Sequence, residues 1–172
     1  QPLNISVESS NTALIPNPTL DYTSPDASGS FSLTPIADEH GTTVISVTVE
    51  DGGLDEDLST PLDNEITIET FVVTVDPIND APVVTVPDVT VPEDTALGSV
   101  LMGVSVTDPD DSSFTYSLIG DVTNRFASDG AGVITLVAPL DRENTTQHNL
   151  AVRVSDGETS TDEGVTIAVG DV

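Results

Sequence analysis

The chain has 172 residues, room for one large domain or two small ones. Its 30 Asp and Glu face only 3 Arg and no lysine, and the formal net charge is −27; such a surface repels nucleic acid and anionic membranes and attracts cations. With no cysteine there is neither a disulfide framework nor a thiolate metal site, and no run of about 18 apolar residues offers a membrane-spanning helix. Disorder, a common fate of strongly charged chains, is excluded by a hydrophobic content of 37%, much of it in alternating runs of Val, Ile and Thr. The first residue is Gln1 and no leader pattern opens the chain, so a piece of a longer protein is expected.

The periodicity is 2, the spacing of half-buried strands, and no amphipathic helix of useful length is visible. Leu3–Val7 reads as a strand. Ile45, Val47 and Val49 alternate with polar neighbours and lead into the turn VEDGG (49–53). LDEDLSTPLD (54–63) is an acidic segment expected to protrude as a loop. In the outgoing run Ile66 and Ile68 hold one phase while Phe71, Val73 and Val75 hold the other, which predicts a β-bulge near Thr70. Beyond the linker DPINDAPV (76–83), alternation returns in Val100, Met102, Val104 and Val106, then in Phe114, Tyr116 and Leu118. Leu150, Val152 and Val154 repeat it, and Val165, Ile167 and Val169 close the series. Each run is short and bounded by Gly, Pro, Asp or Ser, as in an antiparallel sandwich, so the fold class is all-β.

The chain also repeats itself. VEDGG (49–53) echoes VSDGE (154–158), and thirteen residues before the two turn aspartates stand Asp38 and Glu143. After each turn a strand leads to a further acid, Asp76 in one half and Asp171 in the other. These marks predict two tandem Greek-key β-sandwich domains, 1–76 and 83–172, joined by a linker at 77–82. The second has room for seven strands. The first shows no counterpart of 83–106 and is expected either to lack its first strands or to be a smaller variant; a sandwich without them exposes unpaired edges.

The acids of the second domain lie almost entirely in turns: Glu93, Asp94, Asp108, Asp110, Asp111, Asp141, Glu143, Asp156 and Asp171. On an up-and-down sandwich the loops carrying Asp108, Asp110 and Asp156 fall at the end facing the linker, where they are expected to meet Asp76, Asn79 and Asp80. Like charges a few ångströms apart repel by about 1 kcal/mol per pair in water, so the joint pattern calls for a counter-ion. Oxygen ligands without His or Cys select a hard cation, and a loop-built carboxylate cage suits Ca²⁺ better than the strict octahedron of Mg²⁺. A single acidic turn carries little weight, because Asp favours turns for their own geometry.

Other chemistry is poorly served. His40 and His148 are the two imidazoles, and neither sits in a nucleophile motif. Paired carboxylates can hydrolyse glycosides, but such clefts need aromatic walls, and the chain has two Tyr, four Phe and no Trp. No enzymatic activity is expected. Arg142 is expected to pair with a neighbouring acid. Asn4-Ile5-Ser6 and Asn144-Thr145-Thr146 fit the glycosylation tripeptide, which is common by chance.

VPEDTALGSVLMGVSVTDPD (91–110) and GVITLVAPLDRENTTQHNLAVRVSDG (132–157) strongly resemble a cadherin repeat, matching its PE, DxD, LDRE and xDG motifs in order and spacing over all of the second domain. The family's DxNDNxP linker stands here as DPINDAP, closer to the NDAP-type linkers of tandem cadherin-like repeats in bacterial surface proteins. The first domain resembles the bacterial versions through SSNTALIPN (9–17) and LTPIADEHGTTVISVTVEDGG (33–53). It has no LDRE, and Asp38 of ADEHG stands at the glutamate position. The resemblance implies an extracellular, calcium-binding module of a cell-surface adhesin or stalk, with Asp76, Asn79, Asp80, Asp108, Asp110, Asp156 and Asp38 as candidate ligands between repeats. Asn79 stands where the family usually has Asp. By the same carry-over Glu93, Asp141, Glu143 and Asp171 form half of a second site, completed by a following repeat. The implied partners are neighbouring repeats of the same chain, and a polysaccharide or another cadherin-like protein. The alternative is a calcium-dependent recognition module for such a ligand, accessory to a secreted enzyme.

Overall fold

The computed structural model describes residues 1–59 and 63–172. Residues 60–62, within the acidic segment 54–63 expected to protrude, lie outside the described residues. Among those described there is no α-helix, and none is long and apolar enough to cross a membrane. The chain divides into two compact units, Gln1–Ile78 and Asn79–Val172.

In the first unit β1 (Leu3–Ser9), β4 (Gly41–Asp51) and β5 (Ile66–Val75) form an antiparallel sheet in the order β1-β4-β5, and β2 (Thr19–Asp21) pairs with β3 (Ser30–Ser32). Alternation aims Val7 and Ile45 into the interior, where Leu14 and Ile15 of the following loop join them. The buried polar residue Thr43 is satisfied: its hydroxyl meets Ser9 Oγ at 3.0 Å and Ser10 Oγ at 3.2 Å and accepts the Asn11 N–H at 3.0 Å. The expected bulge near Thr70 does not occur. β4 and β5 pair without a slip from Gly41↔Val75 to Glu50↔Ile66, so Ile66 and Ile68 lie on the opposite face from Phe71 and Val73. Both isoleucines are 59% exposed. The phase change therefore marks a strand apolar on both faces, not an inserted residue.

The second unit is a sandwich. One sheet runs β10 (Thr115–Ile119), β13 (Gln147–Ser155), β14 (Ser160–Gly170), β7 (Val89–Pro92); the other runs β11 (Phe126–Ser128), β12 (Val133–Leu136), β8 (Val100–Gly103). β6 (Val83–Thr85) pairs with β9 (Ser105–Thr107). Leu150, Val152 and Val154 of β13 and Val165, Ile167 and Val169 of β14 are buried, with their polar neighbours turned outward, and meet Met102, Ile134 and Leu136 across the core. The alternating run 100–106, read above as one strand, is two. β8 pairs with β12 and β9 with β6, and the change of partner falls at Val104, whose N–H reaches Gly132 O at 3.0 Å. Met102, Val104 and Val106 keep to the core side across that change; the phase breaks earlier, where the β8–β12 register shifts between Ile134 and Thr135, leaving Val100 exposed and packing Leu101 against the core.

Core side chains and the exposed β5 isoleucines should respond differently to truncation. Ile167→Ala, at a fully buried position, is expected to cost about 2–5 kcal/mol through lost burial and a residual cavity. Ile68→Thr is expected to stay within about 0.5 kcal/mol. Urea denaturation followed at backbone amides of each unit checks both values; a mild Ile167→Ala would contradict the tight packing of the second core.

Candidate metal centre

The second unit gathers carboxylates at two places. The first is built by its opening residues and two turns. Asp108 follows β9, and its Oδ1 accepts the N–H groups of Asp110 and Asp111, both at 2.9 Å, so the side chain closes its own turn. Asp110 Oδ2 accepts the Asp80 N–H at 2.8 Å. Asn79 donates its amide to Asp80 O at 2.7 Å, to Asp156 Oδ2 at 3.0 Å and to Thr159 Oγ1 at 3.3 Å. Asp156 sits in the β13–β14 turn, where Gly157 takes φ 109°, a left-handed value that suits a residue without Cβ. Its Oδ1 accepts Glu158 N–H at 2.7 Å and Thr159 N–H at 2.6 Å, and its Oδ2 accepts the Thr159 hydroxyl at 2.7 Å. A continuous hydrogen-bonded chain thus runs from Asp108 through Asp110, Asp80 and Asn79 to Asp156.

Two electrostatic facts stand out. The Asn79 amide, followed by the Thr159 N–H, holds the Asp156 carboxyl well below the usual carboxylate range, so it stays ionised. Asp108 Oδ2 is buried with no hydrogen-bond partner. An ionised carboxylate only accepts, and a buried oxygen left without a donor is costly unless a donor or a cation meets it.

The second group lies where β7 and β14 end. These strands pair in parallel from Ile167↔Val89 to Gly170↔Pro92, so the residues just beyond them, Glu93 and Asp171, come out side by side. The Glu93 N–H donates to Gly170 O at 3.0 Å. The LDRE turn adds Glu143, and one carboxylate oxygen each from Glu93, Glu143 and Asp171 lie within 4.8 Å of one another. Arg142 ties two of the three: its backbone N–H donates to Glu93 Oε2 at 2.9 Å and its Nη1 to Asp171 Oδ2 at 2.8 Å. Asp141 Oδ1 instead accepts the Asn144 N–H at 3.0 Å within the turn. Asp38 and Asp76 belong to the first unit, Asp38 in an exposed turn with φ 62° and Asp76 exposed just after β5. Sequence reasoning missed Thr159, whose hydroxyl and N–H hold Asp156; the sole hint was its place in the turn DGET.

The donor set is all oxygen, with three crowded carboxylates in one group and a partnerless buried oxygen in the other. It fits a hard divalent cation of the calcium type.

The architecture is that of a cadherin-type β-sandwich, and residues 87–169 match the cadherin domain family. Human Cadherin EGF LAG seven-pass G-type receptor 1 is 36% identical over 121 residues, covering 66% of this chain and 4% of that protein. Human Protocadherin Fat 4 is 34% identical over 136 residues, covering 74% of this chain and 2% of that protein. The chain therefore spans a small part of these relatives. Among solved structures, mouse Cadherin-23 EC22-24 aligns with a TM-score of 0.60 at 20% identity, covering 99% of this chain and 54% of that one. The extracellular cadherin domains 1-4 of Protocadherin Gamma B7 align at 0.59 and 25% identity, covering 99% and 42%. Residues 87–169 thus form a cadherin domain, in agreement with the relatives and with the sandwich fold of the second unit.

The Asn79 contact has a measurable consequence. In metal-free protein Asn79→Ala is expected to raise the Asp156 pKa toward the ordinary value of about 3.9. A depressed carboxylate stabilises the fold above the unfolded-state pKa, and that contribution is lost as pH falls through the folded value. The variant should therefore lose part of the pH dependence of its stability below about pH 4. A ¹³C NMR titration of the Asp156 carboxyl in EDTA reads the shift; an unmoved pKa refutes the assignment to Asn79.

Proposed function

We propose that this chain is a non-enzymatic, calcium-binding, extracellular cadherin-type repeat of a cell-surface protein, in which bound calcium stiffens the chain around residues 76–82. The observation that carries this reading is Asp108 Oδ2, a buried carboxylate oxygen without a donor at one end of the chain linking Asp110, Asp80, Asn79 and Asp156. In this reading Asp108, Asp110, Asp156, Asp80 and Asn79 hold the ion. Glu93, Glu143 and Asp171, with Asp141 from the same motif, form the second set. Calcium supplies positive charge that cancels the mutual repulsion of these carboxylates. The protein's own contribution is placement: turn N–H groups take one oxygen of Asp108 and of Asp156 and so fix the carboxylate planes.

Metal binding of this kind is folding free energy, because the ligands converge only in the folded chain. The NDAP-type linker supports a parent among bacterial surface adhesins, with neighbouring repeats as the first partners and a polysaccharide or another cadherin-like surface as the external ligand.

Removal of metal tests the reading. Thermal melting in EGTA against millimolar Ca²⁺ is expected to show a higher melting temperature with calcium, by several degrees where calcium exceeds its dissociation constant about 100-fold. Asp108→Ala combined with Asp110→Ala is expected to lower the calcium stoichiometry measured by calorimetry. Identical melts with and without calcium, together with no heat of binding, would sink the proposal.

A further inference from the structure

Arg142 occupies an unusual place for one of only three cations in the chain. Its neighbours Asp141 and Glu143 are exposed acids, and its guanidinium meets Asp171, one of the three carboxylates grouped where β7 and β14 end. Arg153, by contrast, is committed to Asp162 across the β13–β14 pair, its Nε 2.7 Å from Asp162 Oδ1. Arg142 divides its two functions between backbone and side chain. The backbone N–H holds Glu93 Oε2 at 2.9 Å and stays whatever the side chain does, because the turn fixes it. The guanidinium holds Asp171 Oδ2 at 2.8 Å, and the two side chains are 42% and 64% exposed. An ion pair that open to water is worth little and breaks readily.

We propose that Arg142 is a built-in counter-ion that competes with the divalent cation for Asp171 and so sets the affinity of the Glu93–Glu143–Asp171 group. The inference rests on the calcium reading of that group given above. A hard cation sits about 2.3–2.6 Å from its carboxylate oxygens. The guanidinium Nη1, 2.8 Å from Asp171 Oδ2, places a second positive charge on the same carboxylate, so the side chain withdraws as the cation enters. In the metal-free state the same contact offsets part of the repulsion among the three carboxylates. The fraction of time the ion pair is open scales the apparent affinity. For an exposed pair this is a factor of about two to five.

The experiment uses the full chain carrying Asp108→Ala and Asp110→Ala, which weakens the other group, with Ca²⁺ titrated against the carboxyl ¹³C signals of Glu93, Glu143 and Asp171. Arg142→Gln is expected to tighten calcium binding about two- to five-fold, with Arg142→Lys falling between it and the parent. Arg153→Gln, which removes the same charge from the β13–β14 surface, is expected to leave the affinity unchanged. In the parent protein the Arg142 Nε–H signal should move on calcium addition toward its position in Asp171→Asn. If the three carboxyl signals move with equal midpoints in the parent and in Arg142→Gln, the calcium reading stands and the competition fails. Equal tightening by Arg142→Gln and Arg153→Gln also overturns it, since general charge would then be the cause. If the carboxyl signals stay still in every variant, the calcium reading of this group fails and takes the proposal with it.

Discussion

Four residues of parallel pairing, Val89–Pro92 against Ile167–Gly170, constrain more of the second unit than their number suggests. They add β7 to the sheet of β10, β13 and β14, so that Val91 is buried beside Val169 in the core. Because the two strands run the same way, they also end together. Antiparallel partners would put the residue after one strand beside the residue before the other. Parallel ones place Glu93 and Asp171 side by side, and LDRE needs only to fold over that end to add Glu143. Apolar packing is thus what forces the carboxylates together, and their repulsion is a consequence the fold tolerates.

That tolerance has different forms across the molecule. Many acids here are ordinary turn-formers. Asp121 accepts the Phe126 N–H and the Thr123 hydroxyl, and Asp129 accepts the N–H groups of Ala131 and Val133. Such residues explain their own presence without any ion. Asp108 begins the same way, with two N–H donors on Oδ1, but its second oxygen is buried and bare. Asp156 differs again, because donors reach both of its oxygens, one of them from a residue 77 positions away in sequence. The contrast separates structural acids from those whose placement asks for a cation, which net charge by itself does not do.

Legibility in the sequence followed the same line. Strands whose two faces meet different surroundings were readable: Leu150, Val152 and Val154, or Val165, Ile167 and Val169, alternate because one face is dry and the other wet. Two readings failed where that condition lapses. β5 is apolar on both faces, so its phase change mimicked a bulge although its register is continuous. In the 100–106 run a register shift between β8 and β12 takes Val100 out of the core phase that Met102, Val104 and Val106 keep. At the candidate site, motif spacing was enough to nominate Glu93, Glu143 and Asp171. It was silent on Thr159 and on which acid Arg142 would choose, because hydroxyl and guanidinium contacts depend on turn geometry that spacing does not encode.

The two units show how far one pattern is decided by what covers it. Ile45 faces Phe71 in the first unit as Leu150 faces Val165 in the second, at matching places relative to the VEDGG and VSDGE turns. Val165 is 3% exposed, under a second sheet that includes β8 and β12. Phe71 is 40% exposed, its ring stacked at 6.3 Å on Phe31 of the short β3. Among the described residues of the first unit no strand pairs with the outer edge of β5, whereas β14 carries β7 along that edge. Equal sequence alternation therefore yields unequal burial, and burial carries most of the stabilisation at about 25 cal/mol per Å². The first unit draws less stability from its sheet than the second does. Carboxylate placement at the ends of strands is only as firm as the packing behind it, so the second unit is the better anchored source of ligands.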